Sequence, residues 1–198
     1  MEKIFSKKSL AYVLIGILLV LQLTQSIANW CGGGFNGGSL VLCILMLGLL
    51  TLIGVGISKK NKMLTTISGV SVLSVLIYVL VSSYSGMIQE WIDGKIPNGS
   101  LVTGILASIG ILCLICSLVI AILKTFNTTK NFKTIIVVSS IIATILFLVV
   151  TIIPIAEGCW SNPQYEICHH VRSLARDLGA IFFTLLIPCV WHQVDTKD

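Results

Sequence analysis

Six long apolar runs, separated by short polar connectors, constrain this 198-residue chain more than any other feature. Each run contains between 19 and 23 residues, and about 20 apolar residues suffice to cross a bilayer as an α-helix. A segment in lipid must satisfy its own backbone hydrogen bonds, which favours helices. The sequence therefore predicts an all-α, polytopic integral membrane helix bundle. Its six transmembrane helices are expected near residues 10–28, 40–58, 63–82, 101–123, 135–156 and 171–191.

The composition excludes an ordinary soluble domain. Hydrophobic residues make up 56% of the chain and charged residues only 11%, whereas soluble domains carry about 25% charged residues. No connector is long enough to form a second domain, so residues 1–198 are expected to form a single transmembrane domain. The lysines occur in short groups and not as a basic face with aromatic residues, which argues against a nucleic-acid partner.

The basic residues predict how the chain is threaded through the membrane. If both termini and the connectors 59–62 and 124–133 share one side, ten of the thirteen lysines and arginines lie on that side. Because cytoplasmic loops carry an excess of basic residues, this side is expected to be cytoplasmic. Both termini are then cytoplasmic, and the external loops are 29–39, 83–100 and 157–170.

The first apolar run is compatible with two interpretations. Its basic start, compact apolar core and small residues Ser26 and Ala28 fit a signal peptide cleaved before Asn29. Its length also fits a retained membrane helix. Retention, which we favour, gives six transmembrane helices, and cleavage of residues 1–28 gives five.

Small residues recur at helical spacing in the third, fourth and fifth runs. Lipid tails are as apolar as the helices themselves, so helix association depends on close packing and on hydrogen bonds between helices. We therefore expect a packing face and not a pore lining, and the absence of carboxylates from these positions argues against a proton path. The pairs are Thr65 and Gly69, Gly104 and Ser108, Ser139 and Ala143, and Ser140 and Thr144.

The stretch from residue 157 to residue 177 concentrates polar chemistry that is scarce elsewhere in the chain. On the external side, where thiols can oxidise, Cys159 and Cys168 enclose eight residues, and we predict a disulfide between them. Pairing of Cys31 with either of them, or free thiols, are the alternatives.

Arg172 and Arg176 oppose the charge bias that orients the chain. They lie four residues apart and share one face of a helix, and a charge within a membrane helix usually marks a functional position. In the interpretation that we favour, the arginines reach lipid phosphates and Asp177 pairs with a neighbouring helix. The alternative is an anion or headgroup site at the external mouth of the last helix, formed by the arginines and histidines beside Trp160. The candidate site residues are Trp160, His169, His170, Arg172, Arg176 and Asp177.

Two further chemistries receive little support from the residue spacing. Adjacent histidines rarely both reach one ion, and no ligand spacing typical of zinc accompanies them, so we expect no metal and no cofactor. Cys113 and Cys116 form a C-x-x-C motif, but they lie about twelve residues into the fourth run, near the middle of the bilayer. A thiolate would be strongly disfavoured there, so we interpret both as packing residues.

These features predict a non-enzymatic, multi-pass membrane protein that acts as a scaffold, an assembly subunit or an interaction partner. The expected partners are the lipid bilayer and either other membrane proteins or further copies of the chain, and the plasma membrane is the expected location. Two alternatives remain open. One is a small transporter or channel that uses the site at the external mouth, and the other is a membrane thiol oxidoreductase.

Overall fold

The computed structural model describes residues 8–33, 37–93, 98–126, 132–156 and 167–195. Within these ranges the chain forms six α-helices and no strand, which confirms the predicted helical bundle. In chain order the helices are α1 (Lys8–Gly33), α2 (Gly37–Ser58), α3 (Lys62–Ile92), α4 (Asn98–Phe126), α5 (Phe132–Ala156) and α6 (Ile167–Asp195).

The helices extend beyond the apolar runs that predicted them. α1 continues through Gly33 and α2 begins at Gly37, so most of the predicted loop 29–39 is helical. α3 continues to Ile92, so the first part of the predicted loop 83–100 belongs to this helix. Polar residues at a helix end can keep the i to i−4 hydrogen bonds of the last turns, and hydropathy alone therefore places the ends too early.

Five helices contain a segment that is long and apolar enough to cross a membrane. In α3 the corresponding apolar segment, Lys62–Tyr78, is shorter, although the helix itself extends to Ile92. Many large apolar side chains face outward, including Val20, Ile44 and Ile145, and a membrane provides the apolar contact that such surfaces need. The chain is thus a membrane-embedded helical bundle. The five spanning segments are Lys8–Gly32, Leu40–Ser58, Val102–Leu123, Thr134–Ile152 and His170–Val190.

The bundle closes on itself through its first and last helices. Each helix packs against the next one in sequence, and the most extensive interface joins α1 to α6. α6 also touches α2 and α4. As a result, 44% of its spanning segment is buried, against 28–33% for the other four. The last helix, which is the most polar of the six, is therefore also the most enclosed.

The main hydrophobic core draws residues from all six helices, and it includes Leu14, Ile57, Leu118 and Leu186. Nearby, an apolar cavity of about 10 Å³ lies between α2, α3, α4 and α6. Such a volume holds at most about one water molecule. This part of the interior is therefore packed and does not form a solute pathway.

A three-residue turn joins α2 to α3. The amide of Lys60 donates to the carbonyl of Ile57 at 3.3 Å, and the amide of Asn61 donates to the carbonyl of Gly56 at 2.9 Å. This pair of bonds is a Schellman motif, which ends a helix on a left-handed residue, and Lys60 accordingly has a φ of 49°. The side chain of Asn61 then caps α3 by accepting from the amide of Leu64 at 3.1 Å.

Replacement of Lys60 by glycine is expected to stabilise the protein. The left-handed conformation costs an L-residue about 1 kcal/mol, and glycine avoids this cost. We expect a higher midpoint of thermal unfolding in detergent for Lys60→Gly. Lys59→Gly is the matched control, because the positive φ is specific to Lys60 within the described ranges; an equal rise in both variants would contradict the explanation.

Most of the predicted small-residue positions are packing positions. Thr65, Ser108, Ser140 and Ala143 are all at least 93% buried, which confirms the prediction for these four. One close approach between helices, however, involves a residue that the sequence pattern did not identify. A Cβ atom on Gly56 would lie 2.5 Å from Thr65 Oγ1, so α2 and α3 can approach this closely only with glycine at that position.

Candidate functional site

The predicted external mouth of the bundle lies where α1 ends and α6 begins. Arg172 Nη1 donates a hydrogen bond of 3.0 Å to Asn29 Oδ1. Both side chains are partly buried, and the bond links residues 143 positions apart in the sequence. Arg172 therefore holds the two helices together at this end. Its partner is Asn29, which the sequence marked only as the residue after a possible cleavage site.

The second arginine has a different partner. Arg176 Nε lies 2.9 Å from Asp177 Oδ1, and the arginine side chain is 64% exposed while that of the aspartate is 17% exposed. Asp177 thus pairs with the preceding residue of its own helix, which corrects the interpretation in which it pairs with a neighbouring helix. Although Arg172 and Arg176 are four residues apart, the structure gives them different roles.

The other predicted site residues are only partly described. His169 and His170 lie within the first turns of α6, and His170 is half-buried. Trp160 and Cys159 lie outside the described residues. The structure therefore brings Arg172 to α1 and Arg176 to Asp177, and a joint site of all six residues remains a prediction.

The structure does not support the predicted disulfide. Cys168 is a half-buried free thiol in the first turn of α6, and Cys31 is an exposed free thiol near the end of α1. Neither sulfur is bonded to a second sulfur, so the structure supports neither the alternative pairing of Cys168 with Cys31 nor the predicted pairing with Cys159, which lies outside the described residues. Each cysteine is held in its own helix, and spacing along the sequence did not predict this.

Free thiols at the predicted external end can be tested by chemical labelling. We expect Cys31 to react with a membrane-impermeant maleimide on intact cells without prior reduction, because its side chain is exposed at the predicted external end. Cys116 is the matched control: it is also exposed but lies in the middle of a membrane segment. Labelling of Cys31 only after permeabilisation of the cells would contradict the threading, and labelling only after reduction would contradict the free thiol.

The C-x-x-C motif occupies the middle of α4. Cys113 is half-buried and packs against the cluster of Ala143, Phe147 and Ile181 from α5 and α6, as expected for a packing residue. Cys116 faces outward, which corrects its interpretation as a packing residue. Among the residues that the structure describes, no group of three histidines, cysteines or acids is placed to hold a metal ion.

A chain of hydroxyl groups crosses the interior from α4 through α5 to α6. Ser117 Oγ and Ser140 Oγ are 2.8 Å apart, and Ser117 also donates to the carbonyl of Ile136 at 3.2 Å. Thr144 Oγ1 and Thr184 Oγ1 form the corresponding bond between α5 and α6. The spacing of Ser140 and Thr144 predicted their packing role, but Ser117 and Thr184 were not predicted as their partners. A lone serine or threonine in an apolar run has no distinguishing spacing.

These hydroxyl groups are used for helix packing. Ser117, Ser140 and Thr184 are at least 98% buried, and Thr184 also donates to the carbonyl of Ile181 at 2.7 Å. Hydrogen bonds between membrane helices contribute on average about 0.6 kcal/mol each. The network therefore holds three helices together and satisfies its own donors.

Comparisons of the chain with protein-family models, with curated proteins and with solved structures find no match.

Proposed function

We propose that the protein is a non-enzymatic, multi-pass membrane protein that acts as a scaffold, an assembly subunit or a lateral interaction partner. One observation carries this proposal. The polar groups in the bundle centre bond one helix to another, and the cavity beside them has a volume of about 10 Å³. A solute pathway would require polar groups that face an open space, and this interior instead supports a static bundle.

The surface of the bundle supports the same proposal. Helices α1 to α5 each present large apolar side chains outward, and short turns such as the one between α2 and α3 leave little polar surface. Such a protein meets other molecules mainly through its membrane-facing sides. The expected location is the plasma membrane, with the lysine-rich ends of the helices in the cytoplasm.

Native mass spectrometry of the protein released from its own membranes tests the proposal. We expect a discrete assembly of fixed stoichiometry in which the chain of 21.4 kDa is bound to further copies or to another membrane protein. The monomer alone, recovered from several mild detergents at low and high protein concentration, would contradict it.

A flux assay distinguishes the transporter alternative. Proteoliposomes that contain the purified protein are compared with empty liposomes for uptake of small anions. We expect equal uptake, because the packed interior offers no path. Uptake that depends on the protein and is lost in Arg176→Ala, in a variant that still folds, would favour the transporter and overturn the scaffold proposal.

A further inference from the structure

Three exposed lysines lie at the end of the bundle where α1 begins and where a turn joins α2 to α3. Lys8 is the first residue of α1, and Lys59 and Lys62 flank that turn. The packing of α1 on α2 places them at one level, because a Cβ atom on Gly54 would lie 3.7 Å from Ile15 Cδ1. Along the antiparallel helices, Lys8 and the turn both lie about 10 Å beyond this contact. The three lysines therefore form one lysine surface.

The lysine surface lies at the level where the membrane-spanning segments end. Lys8 is the first residue of the spanning segment in α1, and Ser58, directly before Lys59, is the last residue of the segment in α2. At this level the apolar core of a bilayer gives way to the polar headgroups. Within the described ranges, no hydrogen bond or ion pair involves the ammonium groups of these three lysines. The fold therefore leaves their charges to be neutralised by another molecule.

Local helix stability does not explain two of these lysines. The N-terminus of a helix carries a partial positive charge, which favours acids and disfavours cations in the first turn. Lys8 and Lys62 nevertheless begin α1 and α3, and neither helix has an acid in its first turn. Lys59 differs, because it follows the C-terminal end of α2, where the helix dipole favours a cation. The positions of Lys8 and Lys62 are therefore better explained by an anion outside the protein.

The turn between α2 and α3 holds two of the lysines on a fixed backbone. The amide of Asn61 donates to the carbonyl of Gly56, and the amide of Leu64 donates to Asn61 Oδ1. A fixed backbone lowers the entropy that is lost when a ligand binds. The lysine side chains themselves are flexible and act as point charges, not as oriented forks. Such a surface suits several phosphates in a fluid leaflet better than one precisely oriented ligand.

We propose that the lysine surface binds the headgroups of anionic phospholipids in the leaflet at this end of the bundle. Its ammonium groups contact the phosphates of neighbouring lipids, and basic residues beside a membrane helix attract anionic lipids in this way. The surface thereby enriches anionic lipids around α1, α2 and α3. The inference is independent of the scaffold function and of which side of the membrane this end faces.

Native mass spectrometry of the full-length protein in nonionic detergent tests the proposal by counting bound lipids. The protein is titrated separately with phosphatidylglycerol, with phosphatidylcholine of the same acyl chains and with inorganic phosphate. We expect phosphatidylglycerol to bind at least about tenfold more tightly than phosphatidylcholine. Equal binding of the two lipids would overturn the proposal. Inorganic phosphate that binds as tightly as phosphatidylglycerol would also overturn it, because the surface would then recognise a free anion.

The triple variant Lys8→Gln/Lys59→Gln/Lys62→Gln removes the charge of the lysine surface. It leaves Lys60, whose φ of 49° shapes the turn, unchanged. We expect this variant to bind phosphatidylglycerol at least about tenfold more weakly than the wild-type protein. The variant Lys8→Arg/Lys59→Arg/Lys62→Arg keeps the charge and should bind as the wild-type protein does. Unchanged binding in the glutamine variant would overturn the proposal.

A control with the same loss of charge separates a local surface from general attraction. The variant Lys124→Gln/Lys130→Gln/Lys133→Gln removes three lysines in and around the connector between α4 and α5. We expect it to keep the preference for phosphatidylglycerol over phosphatidylcholine. Equal weakening in the two glutamine variants would show that binding follows net charge alone and would overturn the lysine surface. Because the three lysines of the surface are exposed, their replacement should leave the thermal unfolding midpoint without anionic lipid unchanged.

Discussion

Replacement of Gly56 by alanine is expected to destabilise the bundle more than the addition of a methyl group at any other position of α2. The new Cβ atom would lie 2.5 Å from Thr65 Oγ1 and 3.3 Å from the backbone nitrogen of Thr65. Thr65 is 1% exposed, and its hydroxyl group donates to the carbonyl of Asn61 at 3.0 Å. The helices must therefore separate or this hydrogen bond must break.

We expect Gly56→Ala to lower the free energy of unfolding by about 1–3 kcal/mol, the usual cost of overpacking. The measurement is reversible unfolding in mixed micelles, followed by circular dichroism. Gly48→Ala is the matched control on the same helix, because its Cβ atom would meet nothing within 4 Å. Equal stability of the two alanine variants would contradict the close approach seen here.

A double mutant separates the two contacts that Gly56 makes. Thr65→Ala removes the oxygen that the new Cβ atom would meet first but keeps the backbone nitrogen. We expect Gly56→Ala to cost less in the Thr65→Ala background than in the wild-type background, since neighbouring residues show non-additive effects. If the effects of the two substitutions on the free energy of unfolding were fully additive, the strain in Gly56→Ala would not come from its contact with Thr65 Oγ1.

The second large effect concerns the first helix. We expect the mature protein to retain residues 1–28, with an intact mass of about 21.4 kDa, because α1 forms the most extensive interface of the bundle with α6. Ser26 and Ala28, the two small residues that resemble a cleavage site, are 7% and 6% exposed. A mass that lacks residues 1–28 would contradict this prediction.

A chain that starts at Asn29 tests the same point from the opposite direction. Such a chain loses Ala11, Leu14, Ile15 and Leu18 from the core and leaves the enclosed face of α6 without its main neighbour. We expect it not to yield a folded, monodisperse protein in detergent. Arg172→Ala, which removes the bond to Asn29 but keeps α1, is the milder control and should still fold. Normal accumulation of the shortened chain would show that α1 is dispensable.

The helical class was predictable from the sequence because lipid imposes a simple rule on the backbone. A run of about 20 apolar residues in a membrane has to form a helix, and this rule located all six helices. Their ends were less predictable, as the extension of α3 to Ile92 shows. Hydropathy reports the apolar part of a helix, while hydrogen bonding determines where the helix ends.

The candidate site was predictable only in part. Arg172 and Arg176 stand out because charges are rare in membrane helices, but their partners depend on which helix lies beside them. The structure pairs Arg172 with Asn29 of α1 and Arg176 with Asp177 of α6.

By itself, the sequence determined that the protein is a helical membrane bundle, and its lysines predict which side faces the cytoplasm. Both conclusions follow from how individual apolar and charged residues are solvated by lipid or by water. The tertiary structure decided the rest: that α6 is enclosed, that α1 packs against it, that Gly56 allows α2 and α3 to approach, and that Cys168 is a free thiol. Apolar side chains gain little by leaving lipid for one another. Helix neighbours are therefore selected by shape and by a few hydrogen bonds, which depend on three-dimensional proximity and leave no periodic pattern in the chain.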